Sequence, residues 1–511
     1  MAANQVAFNQ IPGDVRVPMF LAELNSGPPS YSGNSRQIVI GRALTGSVAA
    51  SSGKPVTVGS SDPNTIAGPG SIGAEQLLYA RRRNPIGELW FVSAADPANA
   101  VAATGTVTIA GTATGPGTLT RYVGGERYDV NVATGDTATV VAAALAARIG
   151  QGYAKFGRRM LPAVAAASAL GVVTLTGRHG GTECNGISIL AGLDGDEVEV
   201  PGLTVTIAAM SGGAGDVDMA DALSRLGSQA FDFIGGPYST TAQLNAARDF
   251  LNNRWSPLVG LQCHYCTGYE GNLSGLTAFG LTRNDPHVTV LGLNKLPHPR
   301  WSIVAALDGE IAFLKNLGRS LKTAIEIARP MQTRVLEGLR PPADPNDRFA
   351  AADRDSLLRN GISTTVVTED GQIACDRIIT TYRVNAAGLP DTNLLDIEKL
   401  MIGIYVTRYM KQKLVGTYPR HVMMEDNPGL IQGVVTPPQA RGTVIHAYED
   451  LHQAGLVRQV DLFVANLIVD FDYESDRANF YLPTAAAAAL RVFAANVTLF
   501  NNLDDQNASG L

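Results

Sequence analysis

The 511-residue sequence is poor in cysteine, aromatic residues and charge: it has four cysteines, 6% aromatic residues and 17% charged residues. So few cysteines do not make the disulfide framework of a secreted protein, so we expect a reducing compartment. No apolar run reaches the ~18 residues of a membrane-spanning helix, so no membrane insertion is expected. A formal net charge of -6 argues against direct binding of nucleic acid, whose partners are usually basic.

Recognisable catalytic and metal-binding motifs are also missing. The sequence has no H-E-x-x-H, no G-x-x-x-x-G-K-[ST] and no G-x-S-x-G. One acidic loop contains Asp194, Asp196, Glu197 and Glu199. These residues lack the spacing of an EF-hand calcium loop, so a solvated turn is predicted. The sequence therefore predicts no catalytic residue, no cofactor and no metal site.

Two short motifs resemble functional sites but are better explained as structure. Gly68 to Gly73 fits G-x-G-x-x-G, yet it follows a loop instead of a buried strand, so it predicts the start of a helix. Cys263 and Cys266 form a C-x-x-C pair without the second pair that a zinc site needs. Their place on a predicted strand favours buried core cysteines.

Alternating strand and helix patterns predict an α/β core domain with a mostly parallel sheet. The predicted strands are 37–40, 88–92, 230–234, 258–264 and 287–293, and the predicted helices are 74–83, 218–226, 241–254, 273–282 and 303–328. Short alternating strands with Gly/Thr/Asp turns interrupt this pattern at 97–212. We therefore expect a discontinuous core domain, 36–96 and 213–340, carrying an inserted β-rich domain.

A proline-rich hinge at 340–345 precedes a C-terminal α+β domain, residues 346–511. This domain begins with a predicted hairpin, 364–368 and 372–384, whose turn contains Gly371. A helix with apolar positions from 394 to 409 follows, with Asp391 or Thr392 as the expected N-cap. A second helix at 442–454 and strands at 460–473 come next. The apolar residues and the absence of a helical pattern in residues 1–35 and 492–503 predict an extended, partly apolar arm at each end of the chain.

Several of these segments together resemble contractile phage tail sheath proteins of the Mu type. They are IPGDVRVPMFLAELNSG near the N-terminus, ALDGEIAFLKNLGRSLKTAIEIARP, and the hairpin and helix DGQIACDRIITTYRVNAAGLPDTNLLDIEKLMIGIYVTRYMKQKL. The resemblance implies a structural subunit that forms stacked six-fold rings around a tail tube. It also implies that both arms donate strands to neighbouring subunits, and that contraction uses energy stored in the extended lattice, without nucleotide.

The resemblance assigns roles to particular residues. The expected inter-subunit arm residues are Val6, Phe8, Ile11, Val15 and Val17 at the N-terminus and Val497, Leu499 and Phe500 at the C-terminus. The expected shared-sheet hairpin residues are Thr365, Val366, Val367, Ile378, Ile379 and Thr380, and the candidates for tube contact are Arg408, Lys411, Lys413 and Arg441. The last four residues equally suit solvated helix ends.

The implied partners are other copies of the chain, the tail tube protein, and the baseplate and tail terminator proteins. The implied location is the virion tail, with assembly in the host cytoplasm. An alternative from another class is an α/β enzyme with an inserted β domain. It would use loops at the carboxyl ends of the strands, such as Gly235-Gly236-Pro237.

Overall fold

The computed structural model of the chain describes residues 35–97, 99–195, 197–497 and 499. The described residues form several sheets and 13 α-helices, which confirms a mixed α/β class. The helices are α1 Val48–Ser52, α2 Pro63–Ala67, α3 Ile72–Arg83, α4 Ala138–Gly150, α5 Met219–Ser224, α6 Thr241–Trp255, α7 Leu273–Leu281, α8 Arg300–Leu317, α9 Ile325–Ala328, α10 Ala351–Arg359, α11 Ile397–Thr417, α12 Pro437–Gln453 and α13 Val460–Asn466. Within this part of the chain, no helix is both long and apolar enough to cross a membrane.

The strands were numbered in chain order. They are β1 Arg36–Gly41, β2 Val56–Thr57, β3 Glu88–Ser93, β4 Ala102–Gly111, β5 Gly117–Val123, β6 Glu126–Val132, β7 Tyr153–Lys155, β8 Arg158–Met160, β9 Val164–Ala169, β10 Val172–Gly180, β11 Ile189–Leu190, β12 Leu203–Ser211, β13 Phe233–Gly235, β14 His264–Glu270, β15 Val288–Leu293, β16 Thr364–Val367, β17 Ile373–Arg377, β18 Val422–Met423, β19 Val434–Val435, β20 Val457–Arg458, β21 Ile468–Asp472, β22 Arg477–Tyr481 and β23 Ala485–Ala486.

A six-stranded sheet in the order β15-β14-β13-β1-β3-β2 forms the centre, and its strands pair in parallel except for β2 with β3. Both faces are buried, because successive side chains of a strand point to opposite sides. Ile38 packs in an apolar cluster with Leu244 of α6, whereas Val39 packs in another with Ile311 of α8. The central sheet therefore lies between two layers of helices.

Besides the two-stranded sheet β7–β8, two larger sheets lie between β3 and α5 in the sequence. One has the order β12-β4-β10-β9 and the other β11-β5-β6, and their neighbouring strands are antiparallel. The apolar face of α4 packs against them through Val141, Leu145 and Ile149, which are at most 1% exposed. Burial of this face joins α4 to the two sheets, and its apolar residues belong to the same buried cluster as Val39 and Phe91 of the central sheet.

Beyond residue 350, α11 and α12 pack against each other in opposite directions. Tyr409 near the middle of α11 donates to Asp450 late in α12, while Tyr418 just after α11 donates to the Gln439 carbonyl early in α12. Among the described residues, the strands here pair as two-stranded sheets, β16–β17, β18–β19, β20–β23 and β21–β22. Small sheets of this kind leave backbone edges available for further pairing.

Most predicted core elements are confirmed, but several predictions were wrong in detail. The strand predicted at 258–264 begins only at His264, because Pro257 and Gly260 hold the preceding residues in a turn. The helix predicted at 303–328 ends at Leu317. The C-cap is Gly318, and the side chain of Ile327 packs against it. The contact is so close that a Cβ at position 318 would lie 2.4 Å from Ile327.

Other errors lie in the C-terminal part. The hairpin strand predicted at 372–384 ends at Arg377, and the helix predicted at 442–454 begins at Pro437, after the Thr436 N-cap. Helix α11 starts after Asp396 instead of Asp391 or Thr392, because residues 393–395 form a turn and Asp396 forms a β-bridge with Ile379. Residues 460–466, predicted as strand, form α13. Phe463 of this helix stacks on Tyr448 with ring centroids 3.7 Å apart, a tertiary contact that outweighs the local strand preference.

Candidate assembly surfaces

The carboxyl edge of the central sheet, where α/β proteins usually bind ligands, is covered by the chain itself. Arg42 follows β1 at this edge and is fully buried. Its guanidinium lies 2.5 Å from Asp96 Oδ1 and 3.3 Å from Glu183 Oε2, and it also donates to the Gly180 carbonyl. Because Gly180 and Glu183 belong to the inserted segment, this arginine ties the insert to the sheet edge.

The loop after β13 is closed in the same way. Residues 235–239, which include Gly235, Gly236 and Pro237, are all buried. The Tyr265 hydroxyl donates to the Gly236 and Tyr238 carbonyls at 3.2 and 2.8 Å, and Arg300 donates to Ser239 Oγ at 3.1 Å. The loop thus has the packing of a core segment, which gives no support to a ligand site there.

The sequence motifs also have structural roles. Ser71 is the N-cap of α3 and accepts from the Ala74 amide at 3.0 Å, so the glycine-rich motif starts a helix as predicted. Cys263 and Cys266 are buried as predicted and pack on opposite faces of the sheet. Burial raises the pKa of the Cys263 thiol to about 12. Two thiols on opposite faces cannot share a metal ion.

The described acidic side chains of the insert loop, Asp194, Glu197 and Glu199, form ion pairs, and Asp196 lies outside the described residues. Asp194 lies 2.9 Å from Arg127 and 2.7 Å from Arg340, and its pKa is lowered, chiefly by the hydrogen bond from the Tyr122 hydroxyl. Glu199 lies 2.9 Å from Arg121. Within the described part of the chain, no group of three or more metal-ligating side chains is close enough to hold an ion. Arg340 thereby attaches the start of the expected hinge to the insert.

The expected shared-sheet hairpin is largely paired within its own chain. The Cys375 carbonyl on β17 accepts from the Thr333 amide, and the Cys375 amide donates to the Arg334 carbonyl. Thr333 and Arg334 therefore occupy the outer edge of this strand. Ile378, Ile379 and Thr380 lie beyond β17 and are fully buried. Thr365, Val366 and Val367 lie on β16, whose preceding residue Ser363 pairs with β15. The hairpin is therefore joined to β15 through Ser363 and to residues 333–335 through β17, all within the same subunit.

The four candidates for tube contact differ in their environments. Arg408 donates to Asp232 and, at 3.2 Å, to the Gln262 carbonyl, so it joins α11 to the central sheet. Arg441 donates to the carbonyls of Val464 and Leu467 at the end of α13. Lys413 pairs with Asp450 at 2.9 Å. Only Lys411 is exposed and forms no ion pair among the described residues.

A hairpin that the sequence analysis did not single out has open edges. Strands β21 and β22 pair with each other and, within the described residues, with no further strand. Phe471 points into a small apolar cluster with Val435 and Ala440. Ile468 and Tyr481 face each other across the hairpin and are 59% and 60% exposed. The alternation of the 468–472 strand predicts the strand itself but not its unpaired edges.

Exposed apolar side chains are concentrated near the C-terminus. More than half of the large apolar side chains that are exposed lie between residues 415 and 499, including Val492 at 80%, Phe493 at 84%, Val497 at 78% and Leu499 at 91%. Exposed apolar side chains that follow one another closely in the tail are candidates for burial against another protein. Phe500 and the expected N-terminal arm residues Val6, Phe8, Ile11, Val15 and Val17 lie outside the described residues.

Comparisons with known proteins agree with a structural role. Residues 212–381 match the phage tail sheath protein central domain. The Mu-like prophage FluMu tail sheath protein of Haemophilus influenzae is 32% identical over 478 residues, which cover 91% of this chain and 93% of that protein.

Solved sheath tail proteins from Desulfitobacterium hafniense and Listeria innocua are each 12% identical. The match to the Desulfitobacterium protein has a TM-score of 0.48 and covers 92% of this chain and 97% of that protein. The match to the Listeria protein has a TM-score of 0.47 and covers 90% of this chain and 93% of that protein. On the strength of the Haemophilus relative, the chain belongs to the phage tail sheath protein family and is a structural component of a contractile phage tail.

Proposed function

We propose that this subunit polymerises as stacked hexameric rings around the tail tube and that contraction releases energy stored in the extended lattice. In this proposal the N- and C-terminal arms of one subunit add strands to the C-terminal domain of another. The core domain 36–96 and 213–340, the insert 97–212 and the C-terminal domain 346–511 act as the structural units. The hinge at 340–345 allows the last of these to move during contraction.

The observation that carries the proposal is the open β21–β22 hairpin next to an exposed apolar tail. A two-stranded hairpin is marginally stable alone, and added strands would satisfy its free backbone groups and cover Ile468 and Tyr481. The tail supplies a segment of complementary character, since Val492, Phe493 and Val497 are all exposed. We therefore place the acceptor edge at β21–β22, while the residues of β16 keep a secondary role in the same proposal.

The remaining partners follow from the proposed place of the subunit in the tail. The tube protein would contact the C-terminal domain, where Lys411 on α11 is an exposed and unpaired cation among the described residues. Arg408, Lys413 and Arg441 would instead fix the helices that carry this surface. Baseplate and tail terminator proteins would contact the first and last rings. Assembly would take place in the host cytoplasm, and the subunit would need no enzymatic activity or cofactor.

The test uses the full-length chain and a double variant, Ile468→Lys with Tyr481→Lys. We expect the wild-type protein to form tubes or six-fold rings in negative-stain micrographs and fast-sedimenting species in sedimentation velocity. The double variant should remain a folded monomer, because two lysines at the hairpin edge oppose strand addition.

Leu170→Lys is the matched control, since Leu170 is 92% exposed at a turn of the insert. It should assemble like the wild type. Normal tubes from the double variant would place the acceptor edge elsewhere. A variant lacking residues 1–20 tests the N-terminal arm in the same assay, and we expect it to be a folded monomer.

A further inference from the structure

The C-terminal tail is attached to the body of the subunit as far as Arg491. Ala485 and Ala486 pair with Arg458 and Val457, and the Ala487 amide donates to the Leu456 carbonyl at 2.9 Å. Beyond Arg491, the described residues of the tail make no hydrogen bond or ion pair with the described body, and their large side chains are exposed. Arg491 therefore marks the point at which the arm leaves the subunit.

The Arg491 side chain reaches two carboxylates at the start of α11. Its Nη2 lies 2.8 Å from Glu398 Oε2 and 3.4 Å from Asp396 Oδ1. The side chains of Arg491, Asp396 and Glu398 are 14%, 9% and 3% exposed, so these charges meet largely out of water. Charge pairs in such surroundings are held more firmly than pairs at an exposed surface.

The two carboxylates are themselves fixed by other parts of the chain. Glu398 Oε1 accepts from the Met331 amide at 2.9 Å, and Asp396 Oδ1 accepts from Arg377 Nε at 2.9 Å. Asp396 thus has two further cations close by, Arg377 and, at 3.8 Å, Lys399, whereas Arg491 is the one arginine or lysine that pairs with Glu398 in the described structure. Burial raises the pKa of Glu398, and the charge of Arg491 acts against that rise.

We propose that Arg491 is the positioning residue of the C-terminal arm: it anchors the root of the arm to the buried carboxylates at the start of α11, so that residues 492–499 leave the subunit from one fixed point. This inference rests on the proposed donation of the arm to a second copy of the chain. A fixed root reduces the conformational entropy lost on strand addition and raises the effective concentration of the arm at the neighbouring hairpin.

The geometry also explains why an arginine suits this position. Its planar guanidinium can face both Glu398 and Asp396, while the ammonium of lysine is a compact charge with a different reach. Arg491→Lys should therefore preserve the charge of the site and weaken the anchor. Removal of the charge altogether would leave Glu398 buried without its cation, which destabilises the fold for a separate reason.

The experiment separates anchoring from folding with a double variant, Arg491→Ala with Glu398→Gln. Glutamine keeps an oxygen for the Met331 amide and removes the uncompensated charge. We expect the double variant to recover most of the Tm that Arg491→Ala alone loses. Its critical concentration for assembly, measured by sedimentation velocity, should nevertheless rise about tenfold or more. Arg491→Lys should lie between it and the wild type.

A spectroscopic measurement reports on the anchor without assembly. Spin labels can be attached selectively to the cysteines introduced by Phe493→Cys and His446→Cys, because the native cysteines are buried. The measurement uses protein below the concentration at which it assembles. Double electron–electron resonance should give a narrow distance distribution with Arg491 and a broad one in the double variant. Arg319→Ala, at an exposed arginine without an ion pair among the described residues, should leave both the assembly and the distribution unchanged.

A variant lacking residues 492–511 distinguishes this inference from the function on which it rests. If that variant assembles normally, strand donation by the C-terminal arm is wrong, and the spin-label distances still decide whether Arg491 holds the tail. If the deletion blocks assembly while the folded double variant assembles like the wild type with a narrow distance distribution, the anchoring role of Arg491 is overturned.

Discussion

Lys413 on α11 and Asp450 on α12 form an ion pair with 2.9 Å between Nζ and Oδ2. The same carboxylate accepts from the Tyr409 hydroxyl at 2.6 Å, so one side chain of α12 holds two turns of α11. Partial burial acts to raise the pKa of Asp450, but the hydrogen bonds from Tyr409 and Lys413 and the charge of Lys413 together lower it. Lys413 therefore has a structural partner within the subunit, and nearby Lys411 is the better probe of contact with the tube.

Substitution of Lys411 should affect the tube interaction and leave the subunit stable. Lys411→Glu reverses an exposed charge without an ion-pair partner among the described residues, so its free energy of unfolding should change by less than about 0.5 kcal/mol. We expect weaker co-sedimentation with the tube protein, and a smaller difference at high salt because the charges are then screened. Unchanged binding at low salt would remove Lys411 from the tube contact. Lys54→Glu, at an exposed lysine of the core domain, is the control.

Arg441 should instead contribute to stability. Its guanidinium donates to the Val464 and Leu467 carbonyls, which would be left without these donors in Arg441→Ala. Hydrogen bonds from a charged group contribute about 1.5–3 kcal/mol, so the free energy of unfolding should fall by roughly that amount. Urea denaturation of the monomer measures it, with Lys411→Ala as the control. A loss of unfolding free energy no larger than that of the control would contradict the role of Arg441 in holding the carbonyls at the end of α13.

Glu75 should make stability depend on pH. Burial raises the pKa of this carboxyl from 4.5 to about 7, against the hydrogen bonds from Trp301 and Ser302. The folded state holds the Glu75 proton more tightly than the unfolded state does. The resulting contribution to the free energy of unfolding is therefore complete below about pH 4.5 and is lost as the pH rises through 7. The loss amounts to at most about 3 kcal/mol. Glu75→Gln should remove it.

The measurement is the difference in unfolding free energy between wild type and Glu75→Gln from pH 5 to pH 8. A difference is needed because buried histidines act in the opposite direction. Burial lowers the pKa of His179 and His287 to about 4, so their contribution is lost as the pH falls below about 6.5. Parallel stability profiles for the two proteins would show that Glu75 titrates normally.

The cysteines should be unreactive until the protein unfolds. All four are free and buried, and burial raises the pKa of the Cys184 thiol to about 11. We expect little reaction with a thiol reagent in native buffer and four reactive thiols in denaturant. Rapid labelling of native protein at Cys263 or Cys266 would contradict their burial. A disulfide between them after mild oxidation would contradict their positions on opposite faces of the sheet.

The sequence by itself determined the mixed α/β class, most elements of the central sheet and the family. Helix α6 is one example, since its Thr240 cap and the apolar spacing of Leu244, Ala247 and Leu251 specify a helix locally. Local signals of this kind depend on neighbours in the chain, so they can be read from the sequence.

Tertiary structure decided which surfaces remain open. The burial of Ile378 to Thr380, the pairing of Arg408 with Asp232 and the closure of the sheet edge by Arg42 each join residues far apart in sequence. The lack of a further partner strand for β21 and β22 among the described residues and the contact of Arg491 with Glu398 are of the same kind. Pairing and burial across the fold depend on which segments meet in space, and no local pattern of residues specifies that.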